Sequence, residues 1–297
     1  MRDYAVSGWA AALDIEGAAP NTVRAYRAAV VDLAKVLPGS VLDAKRGDIR
    51  GWLVQRKAEG RSAATLSLYL KAVKLFYRWL VEEGDLDHSP AEGIKGPPVA
   101  VPTTPVLDAG QRRALARACD GNDLAARRDL AIVMVLLDTG LRLAECAGLT
   151  LGDVDLEGGH LVVRGKGARR RGPRVRVAPF GARTGRAVSR YLRARQQLDL
   201  DHDSLWANSR RPYTPMVGRR IAAMLTARGE RAGIDGLHPH MLRHTWASQF
   251  RQHGGNEGDL MVLGGWSSRA MLDRYGAHDA TQRAYAAGRR LSLADRL

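Results

Sequence analysis

Between Leu237 and Tyr275 the chain reads LHPHMLRHTWASQF and then RQHGGNEGDLMVLGGWSSRAMLDRY. His240 and Arg243 stand three residues apart, one face of a helix if the segment is helical. A Gly264-Gly265-Trp266 turn follows, and Tyr275 comes nine residues after the tryptophan. Guanidinium pairs bidentately with phosphate, imidazole and indole N–H groups can donate to a non-bridging oxygen, and a phenol can form a covalent ester. Together these groups suit attack of a tyrosine oxygen on a phosphodiester. Each has a plainer reading. A tryptophan beside a glycine pair is by default core, and Tyr191, Tyr213 and Tyr285 compete with Tyr275 as the nucleophile.

Two further groups could complete such a site. Arg142 and Glu145 stand at i and i+3 in TGLRLAEC, where the carboxylate either neutralises a helix-starting arginine or orients its fork toward a phosphate. Two arginines on one phosphate would stabilise the charge of a pentacoordinate transition state. Lys166 is the single lysine after position 95, amid 31 arginines, in the run RGKGARRRGPRVR. Any arginine there could contact phosphate. Only the ammonium has a proton it can readily give up, which points to a general acid. His240 and His244 at i, i+4 resemble a metal pair, but the glutamate of H-E-x-x-H is missing and Arg243 would repel a cation. No metal is expected.

These residues need rigid supports, and the hydrophobic pattern supplies them. Residues 1–97 read as helices only: one capped at Asn21-Thr22, with Val23, Tyr26, Val30, Leu33 and Leu37 in phase, a short one opened by Asp48, and a longer one capped by Ser62. Arg61, Lys71, Lys74 and Arg78 punctuate the last, as candidate contacts to a duplex backbone or simply as solvated charges. KGPPVAVPTTPV, at 95–106, reads as a stiff linker between two folding units. Beyond it, helices are expected at about 108–119, 123–138, 183–197, 216–232, 239–253 and 257–263, then around Tyr275 and over 279–297. A β-hairpin from Leu161–Arg164 to Val175 and Val177 carries the basic tip, with Arg164, Arg169, Arg170 and Arg171 as further candidate DNA contacts.

The net charge of +15 points to a polyanionic partner. It is uneven: residues 98–297 hold 32 Lys and Arg against 19 Asp and Glu, whereas residues 1–97 hold 14 against 12. Cys119 and Cys146 are expected as reduced core residues. No stretch approaches the roughly 20 apolar residues of a membrane span, and the N-terminus does not read as a signal peptide, so the expected setting is cytoplasmic.

Taken in order, TGLRLAEC, RGKG, HPHMLRHTWAS and LGGWSSRAMLDRY resemble the boxes of the tyrosine recombinase (phage integrase) family. The likeness covers nearly the whole chain, since the first unit, with T-x-x-x-Y and S-P-x-x-x-I, is similar to that family's core-binding domain. Trp266 stands where most members carry histidine. The resemblance implies a mainly α fold: a helical, SAM-like core-binding domain at 1–94, the linker, and at 107–297 a mostly helical catalytic domain with a small antiparallel sheet. It implies a site-specific recombinase that closes on duplex DNA as a C-shaped clamp. Tyr275 would form a 3′-phosphotyrosine, Arg142, Arg243, His240 and Trp266 would hold the phosphate, and Lys166 would protonate the 5′-oxygen. Because the ester conserves the bond energy, no cofactor is implied. The implied partners are double-stranded DNA with inverted-repeat core sites, three more copies of the chain in a tetramer joined through 279–297, and accessory proteins. The likeness is to compact Xer-type enzymes, without an added arm-binding domain. A type IB topoisomerase-like relaxing enzyme and a non-catalytic DNA-binding descendant are the alternatives.

Overall fold

Proline at the first position of a helix has its φ already set and lacks an N–H that would be left unpaired there. In the computed structural model of the chain, Pro20 accordingly starts the second helix, with Ala19 as the extended residue before it. The expected cap at Asn21-Thr22 therefore lies inside the first turn, and Asn21 accepts a side-chain hydrogen bond from Arg24 instead. The structure describes residues 2–99, 105–165 and 175–266. Lys166, Arg169, Arg170, Arg171, Tyr275, Tyr285 and the expected helix over 279–297 lie outside the described residues.

The described residues fall into two units, 2–99 on one side and 105–165 with 175–266 on the other. The first contains α1 (Arg2–Ile15), α2 (Pro20–Val36), α3 (Arg46–Ala58) and α4 (Ala63–Glu82). Ser62 caps α4 as expected, its hydroxyl accepting from the Thr65 N–H. Asp48 sits three residues inside α3 rather than before it, accepting from the Lys45 N–H. Leu33, Ile49, Leu70, Val73, Phe76 and Leu80 meet in one apolar core with Trp9 and Trp52, and Ile94 is its last member along the chain. The Trp52 indole and the Arg56 guanidinium both donate to Asp32, which ties α3 to α2. Lys71, Lys74 and Arg78 fall at i, i+3 and i+7 on one face of α4, away from that core.

The second unit begins its core at Leu107. It contains α5 (Ala109–Ala118), α6 (Leu124–Thr139), α7 (Leu143–Ala147), β1 (Val154–Asp155), β2 (His160–Arg164), β3 (Val175–Pro179), α8 (Ala182–Arg195), α9 (Gly218–Arg231), α10 (Pro239–Gln252) and α11 (Glu257–Gly264). The long helix α6 packs on α8 and α10, while α5 and α7 pack on α9. The sheet is antiparallel in the order β1-β2-β3, with Leu161 opposite Ala178 and Val163 opposite Arg176. The two-residue edge strand β1 is too short to show a period in sequence. Leu161, Val163 and Ala178 point into the core, so Val175 and Val177 face outward and are 60% and 50% exposed. Cys119 and Cys146 are free and buried, which pushes their thiols up to about 11 and about 12. Among the described residues no helix is long and apolar enough to cross a membrane.

All of the charged residues that are buried among those described belong to the second unit. Burying a charge is costly unless it is paired and hydrogen-bonded. That unit must therefore contain the partners, and following them leads to the site.

Candidate active site

Helix α6 ends at Thr139, and Gly140 continues in the left-handed region at φ 59°. A side chain there would be strained by that conformation, and its Cβ would also lie 2.0 Å from the Trp246 ring. Gly140 thus lets the α6 terminus lie flat against α10 and leaves its carbonyl accessible to Arg243. Two residues later Arg142 is the extended residue that precedes α7. Its backbone N–H donates to Glu145 Oε2 at 2.8 Å and its guanidinium to Glu145 Oε1 at 2.9 Å. The Arg142 side chain is 41% exposed, so Glu145 holds it without enclosing it.

Arg243 is the buried one, 3% exposed on α10. Its fork donates to the carbonyls of Gly140 and Gly264, and its guanidinium lies 4.3 Å over the centre of the Trp266 ring. Trp266 is 5% exposed and stacks on Trp246, so its body is core, as the plainer reading had it. The Gly264-Gly265 pair has a steric reason. A Cβ on Gly264 would meet the Trp266 ring at 2.4 Å, and Gly265 caps α11 at φ 62°.

The last carbonyls of a helix have no partner within it and form the negative end of its dipole. At the end of α11 each of three consecutive carbonyls takes a different arginine. Leu263 accepts from Arg176 at 2.8 Å, Gly264 from Arg243 at 2.6 Å and Gly265 from Arg142 at 3.0 Å. Three segments far apart in sequence therefore converge on the stretch that leads to Tyr275.

His240 lies one turn before Arg243 and keeps exposed surface. Its ring meets His244 edge-on at 4.5 Å. Partial desolvation, then the charges of Arg243, His238 and Arg142, hold His240 below its ordinary value, so at neutral pH it is an uncharged donor. His244 is buried and pushed down to about 4, chiefly by that burial. Burial alone would raise the Glu145 carboxyl. Hydrogen bonds from Arg176 and the Arg142 N–H, with both guanidinium charges, leave it instead below the usual carboxylate range.

Among the competing tyrosines, Tyr191 is removed: it is fully buried, donates to the Leu205 carbonyl and accepts from the Ala207 N–H. Tyr213 is half-buried under Arg211. Arg164 is exposed and ion-paired with Asp153. The residue that sequence reasoning missed is Arg176. The alternation Val175-Arg176-Val177 set it on the face opposite the valines, but only the hairpin register shows that this face is the inner one.

The phage integrase family matches residues 105–282, well over half the chain, and the phage integrase N-terminal SAM-like domain matches residues 6–84. The tyrosine recombinase XerC of Pseudomonas savastanoi pv. phaseolicola is 34% identical over 236 residues, covering 77% of this chain and 76% of that protein. XerC of Corynebacterium efficiens is 31% identical over 272 residues, covering 91% and 84%. Among solved structures, the XerH site-specific recombinase bound to its palindromic difH substrate shares the fold. Its TM-score is 0.75 at 17% identity, over 91% of this chain and 80% of that one. Fold, arginine cluster and relatives together define an enzyme of DNA strand transfer, a site-specific recombinase. The chain belongs to the phage integrase family, whose members are the tyrosine recombinases. Those likenesses favour recombination over DNA relaxation.

Proposed function

We propose that the chain recombines duplex DNA with Tyr275 as nucleophile, through a 3′-phosphotyrosine and a Holliday junction. The observation that carries this reading is the convergence of Arg142 and Arg243 on adjacent carbonyls, Gly265 and Gly264, ten and eleven residues before Tyr275. The half-exposed Arg142 offers a scissile phosphate its open side, and Arg243 lies beside it with a second N–H on each Nη beyond those given to Gly140 and Gly264. His240, kept neutral, donates its N–H to a non-bridging oxygen, and the Trp266 indole N–H does the same. Glu145 orients Arg142. Lys166 protonates the departing 5′-oxygen, a step worth on the order of 10²–10⁴-fold in rate.

Arg61, Lys71, Lys74 and Arg78 on the first unit, with Arg164, Arg169, Arg170 and Arg171 on the second, track the phosphate backbone. The domains run 1–94 and 107–297, with the linker at 95–106 between Ile94 and Leu107, the end of one core and the start of the other. The palindromic substrate of XerH supports an inverted-repeat core site here, bound by a tetramer of this chain joined through 279–297, with accessory proteins where the site requires them. The DNA it meets places the protein in the cytoplasm.

Tyr275→Phe tests the assignment, because it keeps the ring and deletes the attacking oxygen. A duplex selected from a random pool by the wild-type protein, nicked beside the cleavage point, should trap a covalent adduct with wild type and none with the variant. Both proteins should bind the duplex equally. An adduct that persists in Tyr275→Phe moves the nucleophile elsewhere.

A further inference from the structure

We propose that Arg176 is a positioning residue for strand cleavage, which neutralises Glu145 so that Arg142 keeps its charge for the phosphate. The inference rests on the reading of Arg142 as a phosphate ligand. Arg176 and Glu145 side chains are 9% and 7% exposed, and they meet in a two-pronged pair. One prong runs from Nη1 to Oε1 at 3.0 Å and the other from Nη2 to Oε2 at 2.8 Å. Nε of the same guanidinium holds the Leu263 carbonyl. Each of the three nitrogens of this side chain thus has a partner within the protein, and the side chain is turned to Glu145 and α11 rather than to solvent. Arg142 differs, since it shares Glu145 yet keeps exposed surface.

The electrostatic consequence is direct. A buried carboxylate with Arg142 as its single cationic neighbour would draw that fork inward and cancel most of its charge. With Arg176 filling both oxygens from the other side, the three groups together retain one positive charge, at the exposed end. A second effect is mechanical. Arg176 ties β3, the strand that follows Lys166 in sequence, to the last turn of α11, the helix before Tyr275. Lysine would restore the charge but could not fill two carboxylate oxygens and a carbonyl with one planar fork.

Single-turnover adduct formation on the selected duplex, alongside its Kd and the melting temperature of each protein, tests this. Arg176→Gln should slow adduct formation by about 10–100-fold, the usual cost of removing a group that orients a ligand, while Kd stays within about threefold. Adding Glu145→Gln removes the uncompensated carboxylate, so Arg176→Gln/Glu145→Gln should recover at least about tenfold of the lost rate, whereas a purely structural contact would show its coupling in the melting temperature alone. If Arg176→Gln does not fold, Arg176→Lys with and without Glu145→Gln makes the same comparison. A double variant as slow as the single one, or a single variant as fast as wild type, overturns the proposal. Should wild type form no adduct, the functional reading fails first and takes this proposal with it.

Discussion

Among its described residues the second unit holds two buried carboxylates, each gripped by two arginines, and they differ in one respect. Asp129 is paired with Arg128 and Arg228, whose side chains are 7% and 13% exposed; these reach on to the carbonyls of Ala207 and Ala118. Glu145 is paired with Arg176 at 9% and Arg142 at 41%. The charges are the same, and so is the hydrogen-bond logic. At Asp129 both guanidiniums are consumed by the protein, and the cluster joins α6 to α9. At Glu145 one guanidinium keeps an open side beside His240 and Arg243. A buried carboxylate between arginines is thus not in itself a mark of function. The exposure of one partner separates a structural pair from one able to meet a ligand.

The largest effect should come from breaking the sealed cluster. Asp129→Ala strands two buried guanidiniums, and losing one partner of such a network typically costs about 3–5 kcal/mol. Urea unfolding should show a loss of that size, while the fraction still folded cleaves selected DNA at the wild-type rate. Arg142→Ala is the converse. Removing one preorganised donor from a developing oxyanion typically costs about 10²–10³-fold in rate, so adduct formation should fall by that much. Glu145 keeps Arg176, so unfolding should shift by no more than about 1.5 kcal/mol. If the two variants exchange phenotypes, exposure is the wrong criterion.

A smaller effect sharpens the contrast through pH. A carboxyl held low, as Glu145 is, contributes its stability in full above its unfolded value of about 4.3 and loses it as pH falls from there through its depressed folded value. It should therefore be silent between pH 6.5 and about 5.5. His244 should not. Its folded value is about 4 against an ordinary 6.5, so in that window the unfolded chain binds a proton that the folded one refuses. Stability should decline on acidification with a slope of up to about 1.4 kcal/mol per pH unit, with a shallower share from His240. His244→Gln should flatten most of it. A slope unchanged in that variant would assign the acid sensitivity to other groups.

Much of this was legible in the chain. Ser62, Asp108 and Asp123 cap their helices where short polar side chains precede apolar runs, and Gly140 stops α6, because local backbone chemistry decides such points. The spacing of Arg142 to Glu145 and of His240 to Arg243 likewise followed from helical period alone. Pro20 shows the limit even there, since it displaced the expected cap through its own fixed φ. What the tertiary structure decided was which groups are used up. A strand's alternation defines two faces, but only the pairing of Val163 with Arg176 set which was inner. Partners for the arginines proved to be backbone carbonyls at Gly140, Leu263, Gly264 and Gly265, acceptors that every residue has and no side-chain pattern marks. Tyr191 left the contest for nucleophile, and Arg142 and Arg243 parted into an exposed and a buried fork, for the same reason. Residue type sets what a group can do, and burial beside a distant segment sets whether it is free to do it.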